Sequence, residues 1–296
     1  MTLRDSLIAA IVPIFLGFGF VIAKPAMEYL PPFLLMGLRF TFVALLLVWW
    51  FPIPRGYLKK IFFVSLIANT TQYSITYTGL SFIDASAAVL LVQTEVPFGV
   101  VFAYFMLKEK PTVRSLIGIS IAFVGVYILT GSPNLDGKFI GVTLVIIGSG
   151  VWALGQVLVK PLSKEINPLA LVAWLGLFSG PILITLSAIF DGNPINYFKA
   201  ATFETWMIAI YLGFIMQPLT YGCFYYVLKN NPLYKVLPIV TMGIPPTGLL
   251  AAIFLLGEEP TVELFIGGAI IIVGVILIVF NKPKKINPKA QSLSSQ

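Results

Sequence analysis

The sequence predicts an all-α membrane protein, with ten transmembrane helices arranged as two inverted five-helix repeats. Three observations lead there. Apolar residues make up 58% of the 296 and charged residues only 10%, against about 45–50% and about 25% in soluble domains. Apolar runs long enough to cross a bilayer follow one another along the whole chain. Two stretches of the chain also match each other at a nearly fixed offset.

The runs come first. Breaks at charges, prolines and Asn/Gly clusters give spans near 6–26, 33–53, 60–80, 84–107, 113–131, 139–160, 168–190, 203–227, 233–256 and 262–280. A helix needs about 20 apolar residues to cross the hydrocarbon core, and each run supplies them. The connections are short, so no separate soluble domain fits between spans. No small-residue cleavage site follows the first run, which therefore reads as a span and not as a removed signal peptide.

The charges orient the spans. With the N-terminus on side A and alternation thereafter, side A collects fifteen of the 19 lysines and arginines, and side B collects Lys24, Lys138 and Lys199. Arg39 falls inside the second span. By the positive-inside rule side A is cytoplasmic, with both termini there. The acids Asp84, Asp136, Asp191, Glu204, Glu258, Glu259 and Glu263 fall on side B. The basic pI near 9.4 therefore reflects orientation signals and no nucleic-acid surface.

The repeat explains the even number of spans. Residues 109–113 read EKPTV and 258–262 read EEPTV, and the same shift of 149 carries Gly118 onto Gly267 and Gly125 onto Gly274. Upstream, Lys24-Pro25 matches Lys160-Pro161 at a shift of 136. The drift between the two shifts places an insertion near Asp191–Ala200. The reading divides the chain into 1–133, 134–283 and a polar cytoplasmic tail, 284–296. Each unit holds five spans, an odd number, so the second enters the membrane upside down. Inverted repeats are a common plan of secondary transporters, with the site near the midplane between the halves.

Segments such as GFGFVIAKPAMEYLPPFLLMGLRF (17–40) and VQTEVPFGVVFAYFMLKEKPTVRSLIGISIAFVGVYIL (92–129) resemble the EamA family of the drug/metabolite transporter superfamily. They are most similar to bacterial exporters of amino acids and related metabolites, of the cysteine and O-acetylserine type. The resemblance covers the whole chain. It implies a ten-helix fold, a central cavity between the halves and alternating access in the plasma membrane, and it leaves the substrate open.

Polar residues inside the spans are the site candidates, because a polar stripe is unfavourable against lipid and must face protein or water. Asn69, Gln72, Tyr73 and Thr76 fall at i, i+3, i+4 and i+7 of the third span, with Tyr77 at the edge of that face. Gln217 and Tyr221 repeat the pattern in the eighth span, where Tyr221 is read as the mate of Gln72. Trp152 and Gln156 share a face of the sixth. Interhelical glue is the bland reading of all of them. Glu95 lies near the centre of the fourth span. It either binds a substrate ammonium, carries a coupling proton, or is a neutral structural carboxyl bonded to the third span. Arg39 is read as structural, either paired with Glu28 at the end of the first span or snorkelling outward.

Prolines mark expected breaks. Each lacks the N–H that would bond the carbonyl four residues earlier. Pro97 frees the carbonyl of Gln93 in the fourth span. In the ninth, Pro238 frees Tyr234, and Pro245 and Pro246 free Thr241 and Met242. Because the two spans are repeat mates, both are expected to break at similar depth and form hinges around one cavity. Lys24-Pro25 and Lys160-Pro161 are expected to close the first and sixth spans.

Composition also excludes chemistry. There is no histidine and a single cysteine, Cys223, so no metal site, cofactor or catalytic group is expected. The expected partners are a small-molecule substrate, membrane lipid and, if Glu95 serves that role, a proton. The reading is an exporter of small amphipathic metabolites, amino acids or their derivatives. Its rivals are a sugar-phosphate or nucleotide-sugar exchanger, a channel or lipid flippase, and a membrane enzyme.

Overall fold

The computed structural model describes residues 1–107, 109–231, 233–280 and 284–285. Its ten membrane helices follow the ten apolar runs. The first three spans are Leu3–Ala26, Pro32–Leu47 (with a 3₁₀ turn, Val48–Trp50) and Leu58–Phe82. The fourth to seventh are Ala85–Leu107, Val113–Thr130, Phe139–Glu165 and Pro168–Phe190. The last three are Phe203–Asn230, Leu233–Leu256 and Val262–Val279. Among the described residues, nine are long and apolar throughout. The third is the exception, because its middle carries the polar stripe.

Several ends differ from the sequence reading. The sixth span runs through Pro161 and stops at Glu165, whereas the first ends at Ala26, one residue past Lys24-Pro25, where the sequence places it. A proline removes one hydrogen bond but does not end a helix held on all sides by neighbours. The expected insertion after the seventh span is a seven-residue helix, Pro194–Ala200, capped by Asn193. Glu109–Lys110 pairs antiparallel with Lys284–Lys285, bringing these two segments to one side of the bundle. The rest of the expected tail, 286–296, lies outside the described residues.

The repeated PTV motif has a local cause. Thr112 and Thr261 are the N-caps of the fifth and tenth spans. Their hydroxyls accept from Ser115 N at 3.2 Å and Leu264 N at 3.4 Å. Threonine there satisfies one of the four orphan donors at a helix start, a role worth about 1 kcal/mol. The proline before it sits outside the helix, where its missing N–H costs nothing.

Packing shows the two-fold relation between halves. The first span packs on the ninth, and its mate, the sixth, packs on the fourth. The third packs on the sixth, and the eighth on the first. The second and seventh pair with each other, as do the fifth and tenth. Exchanging each span for its mate five places on maps this contact set onto itself. Glycine makes the fifth–tenth pair close. A Cβ at Gly118 would lie 2.7 Å from Gly274 O, and one at Gly125 2.7 Å from Gly267 O.

The third and eighth spans share a further feature. Each contains a π-helical turn, Leu66–Thr71 and Tyr211–Met216, immediately before a glutamine, Gln72 and Gln217. Such turns rotate the following residues and recur at functional sites. In the eighth span Pro218 contributes, since it supplies no N–H. The third span forms the turn without a proline. The shared turn makes Gln72 the mate of Gln217, and Thr76 the mate of Tyr221. The expected pairing of Gln72 with Tyr221 is therefore off by one helical turn, because the eighth span is longer.

The exterior is apolar, as a lipid-facing surface must be. Phe63, Phe105, Tyr127 and Phe254 project outward, and Trp49 and Trp50 stand exposed at the end of the second span, where interfacial aromatics belong. Polar side chains are instead buried among the helices.

Candidate functional site

The buried polar side chains converge on one small cavity walled by both halves. The third span contributes Gln72, Tyr73, Thr76 and Tyr77; the fourth Val92 and Glu95; the sixth Ser149 and Trp152; the eighth Tyr221. Leu16 and Phe20 of the first span, Arg39 of the second and Ile244 of the ninth complete the wall. The cavity volume is about 30 Å³, room for about two water molecules.

The third span explains most of the polarity. Its i, i+3, i+4, i+7 stripe becomes one buried face. Gln72 Nε2 donates to Thr76 Oγ1 at 3.0 Å, which leaves Gln72 Oε1 without a partner. Tyr73 and Tyr77 stack with ring centroids 5.5 Å apart, and Phe20 continues the stack onto Tyr77 at 5.4 Å. The Tyr73 hydroxyl is hydrogen-bonded to that of Tyr221. That bond joins the third span to the eighth across the two halves. Asn69 is buried within the π turn and does not reach the cavity.

Arg39 is where the sequence reading fails. It neither meets Glu28, which is exposed, nor snorkels outward. It is fully buried, with Nε donating to Gln217 Oε1 at 2.6 Å and Nη1 to Tyr77 Oη at 3.1 Å. Its guanidinium carbon sits 5.1 Å from the centre of the Tyr73 ring. A guanidinium is always charged. Two hydrogen bonds and an aromatic face hold this one in place of water or a carboxylate. Gln217 therefore serves Arg39 and does not itself line the cavity.

Glu95 begins the helical segment that follows a 3₁₀ turn, Val92–Thr94, in the fourth span. Its Oε1 is buried and has no partner. The fourth span is thus interrupted just before Pro97, at the expected depth. The ninth span is not: it is helical from Leu233 through Pro245 and Pro246 to Leu256. The carbonyl of Thr241, which Pro245 cannot bond, accepts from Gln93 Nε2 at 2.6 Å. A side chain from the other half restores what the proline removes, so the helix need not break. The side chain of Pro238 lies outside the described residues.

Gln156 is buried on the same face as Trp152, but one turn away from the cavity, with Oε1 unpartnered. Ser149 was missed, although Ser149, Trp152 and Gln156 fall at i, i+3 and i+7 on a single face. Phe20, Leu16, Val92 and Ile244 carry no sequence signal, being apolar residues in apolar spans. Among the described residues, no group of three acidic or sulfur ligands could hold a metal ion.

On side B the cavity's helices are tied by charges. Lys24, one turn beyond Phe20, donates to Ile83 O at 2.8 Å and lies 3.6 Å from Asp84 and 3.5 Å from Glu258. Lys138 reaches the same Asp84 at 3.6 Å. All four residues are among those the sequence assigned to side B.

A family model described as the EamA-like transporter family matches the chain twice, over residues 5–131 and 139–280. The chain belongs to the EamA-like transporter family. Its resemblance to relatives extends end to end. It is 27% identical over 289 residues to a protein of Escherichia coli (strain K12) named "Probable amino-acid metabolite efflux pump", covering 95% of this chain and 96% of that one. A protein of the same name from Salmonella typhimurium (strain LT2) is 28% identical, again over 95% and 96% of the two chains. A solved crystal structure superposes with a TM-score of 0.65 at 15% identity, covering 94% of this chain and 98% of its own, which fixes the fold. Membership of this family, with nine long apolar helices among the described residues and a family match in each half, makes the chain an integral membrane transporter protein.

Proposed function

We propose that the protein is a secondary transporter that exports small amphipathic metabolites, amino acids or their derivatives, by alternating access, with both termini in the cytoplasm. One observation carries this reading: buried polar groups from both halves face one cavity with aromatic walls, crossed at the Tyr73–Tyr221 contact. A site at the interface of inverted halves is exposed to either side as the halves rock. At about 30 Å³ the cavity cannot hold an amino acid. Substrate entry therefore requires the halves to part, and the interruption at Val92–Thr94 is the hinge candidate.

The composition of the wall supports a small amphipathic cargo. Hydroxyls, an amide and aromatic rings offer hydrogen bonds and apolar contact together. A sugar phosphate would call for several cations, and among the described lining residues Arg39 is the one cation. The relatives named as amino-acid metabolite efflux pumps point the same way. With no nucleotide-binding loop in the sequence, the energy comes from a substrate or ion gradient.

Reconstitution into liposomes tests the proposal. With the twenty labelled amino acids supplied in turn, saturable counterflow of at least one is expected. Flux that never saturates would mean a pore, and lipid turnover without solute flux would mean an enzyme.

A further inference from the structure

Three buried polar atoms on the cavity wall have no partner, and they are of two opposite kinds. Arg39 Nη2 is a donor belonging to a positively charged guanidinium. Glu95 Oε1 and Gln72 Oε1 are acceptors. All three residues line the same small space, and no ion pair joins Arg39 to Glu95 among the described residues. A buried polar atom left unpaired costs about 1–3 kcal/mol, more when charged. Three in one cavity, with charge of one sign at one place and a carboxyl at another, indicate a complementary ligand.

We propose that Arg39 and Glu95 are the two poles of a zwitterion site: the Arg39 guanidinium grips the substrate carboxylate, and Glu95 with Gln72 Oε1 receives its ammonium. This rests on the transport reading above and narrows its substrate class to molecules with a free carboxylate and a free amine.

The geometry at Arg39 suits the role. Nε is committed to Gln217 and one N–H of Nη1 to Tyr77. The second N–H of Nη1 and both of Nη2 remain, and one N–H from each nitrogen lies parallel at the end of the guanidinium fork. That end donates to a carboxylate through two parallel hydrogen bonds. The bonds to Gln217 and Tyr77, with the Tyr73 ring 5.1 Å away, fix the plane of the fork before substrate arrives. Little rotamer entropy is then lost on binding. At the other pole, an ammonium has three donors and no acceptor, which matches the two acceptor oxygens that the third and fourth spans bring to the cavity wall. Phe20 and Trp152 remain for the apolar part of the substrate.

The test is counterflow in liposomes with the best-transported labelled amino acid, competed by the unlabelled parent, its methyl ester and its N-acetyl derivative. The ester lacks the negative pole and the acetyl derivative lacks the positive one. In the unaltered protein each derivative should compete about tenfold or more worse than the parent, since a site built for a polar group rejects the analogue lacking it. Arg39→Gln should erase the preference for parent over ester, with competition by the ester retained as proof of a folded site. Arg39→Lys should keep part of that preference, and Glu95→Gln should erase the preference for parent over the acetyl derivative. Saturable flux with equal competition by all three compounds overturns this proposal and leaves the transport reading standing. An Arg39→Gln or Arg39→Lys protein that discriminates against the ester as the unaltered protein does also overturns it. No counterflow of any amino acid overturns both.

Discussion

Glu258 caps the helix that starts at Ala85, although 173 positions separate the two residues. Its Oε1 accepts the Ala85 N–H at 2.7 Å, and its Oε2 accepts that of Ser86 at 2.9 Å. A carboxylate at a helix N-terminus meets both the orphan N–H groups and the positive end of the helix dipole. Because Glu258 belongs to the second half and Ala85 to the first, this cap, with Lys24 and Asp84 beside it, holds the two halves together on side B.

If the cap closes side B, removing it should open side B. Glu258→Ala deletes two hydrogen bonds to a charged acceptor, together worth about 3–6 kcal/mol. We expect the open fraction to rise about tenfold or more. A cysteine introduced by Phe20→Cys in a Cys223→Ser background reports it, since Phe20 lines the cavity one turn from Lys24. Its labelling by an impermeant maleimide from side B should accelerate by that factor. An unchanged rate would show that the cap does not control access.

The same carboxylate gives the closure a pH dependence. Partial burial favours the neutral form of Glu258. The hydrogen bonds from Ser86 and Ala85 and the neighbouring Lys24 charge outweigh it, so the pKa falls below its ordinary 4.5. A depressed acid stabilises the folded form above its unfolded pKa, and that contribution is lost as the pH drops through the folded value. The contribution is thus complete at neutral pH and disappears only below about 4.5. Thermal melts of the unaltered protein and of Glu258→Gln should differ by a constant Tm gap from pH 7 to 5, narrowing at lower pH. A gap that widens there would reverse the sign.

The fifth and tenth spans should tolerate no side chain at their crossing. At Gly125 a Cβ would meet Gly267 O at 2.7 Å, and at Gly267 it would meet Gly125 O at 2.7 Å. These are backbone atoms, which cannot swing aside. Gly125→Ala and Gly267→Ala should each cost about 1–3 kcal/mol by overpacking. Because both push the same two helices apart, the double variant should lose less than the sum. Melting in detergent measures all three, and strict additivity would mean the helices adjust independently.

How far the sequence revealed the site depended on whether the signal was local. The polar stripe of the third span was legible because all its members lie on one helix face. The repeat was legible because the PTV motif recurs, while the capping role of its threonines shows only in the structure. Arg39 was misread because its partners, Tyr77 and Gln217, come from two other helices, and a lone charge in an apolar run shows no face. The continuity of the ninth span was hidden for the same reason: Gln93 of the opposite half bonds the carbonyl that Pro245 leaves. Periodicity reports which residues share a side of one helix, and it is silent about what another helix brings to that side.

Gln217 offers a separate handle on Arg39. Its Oε1 accepts from Arg39 Nε at 2.6 Å in a site with no water-exposed surface. Gln217→Leu leaves a buried charged N–H without its acceptor and should cost about 3 kcal/mol in stability. Gln217→Glu keeps the acceptor and adds a negative charge next to the guanidinium. Stability should then equal or exceed that of the unaltered protein, since the pair is charge-assisted. Transport should respond in the opposite direction. The added carboxylate occupies the positive pole electrostatically, so flux of a carboxylate-bearing substrate should fall about tenfold or more, while competition by its methyl ester survives. Melting temperature and counterflow, measured on the same two preparations, separate a bond that only supports the helices from one that aims a charge into the cavity. Parallel loss of both quantities in Gln217→Glu would assign Arg39 to support alone.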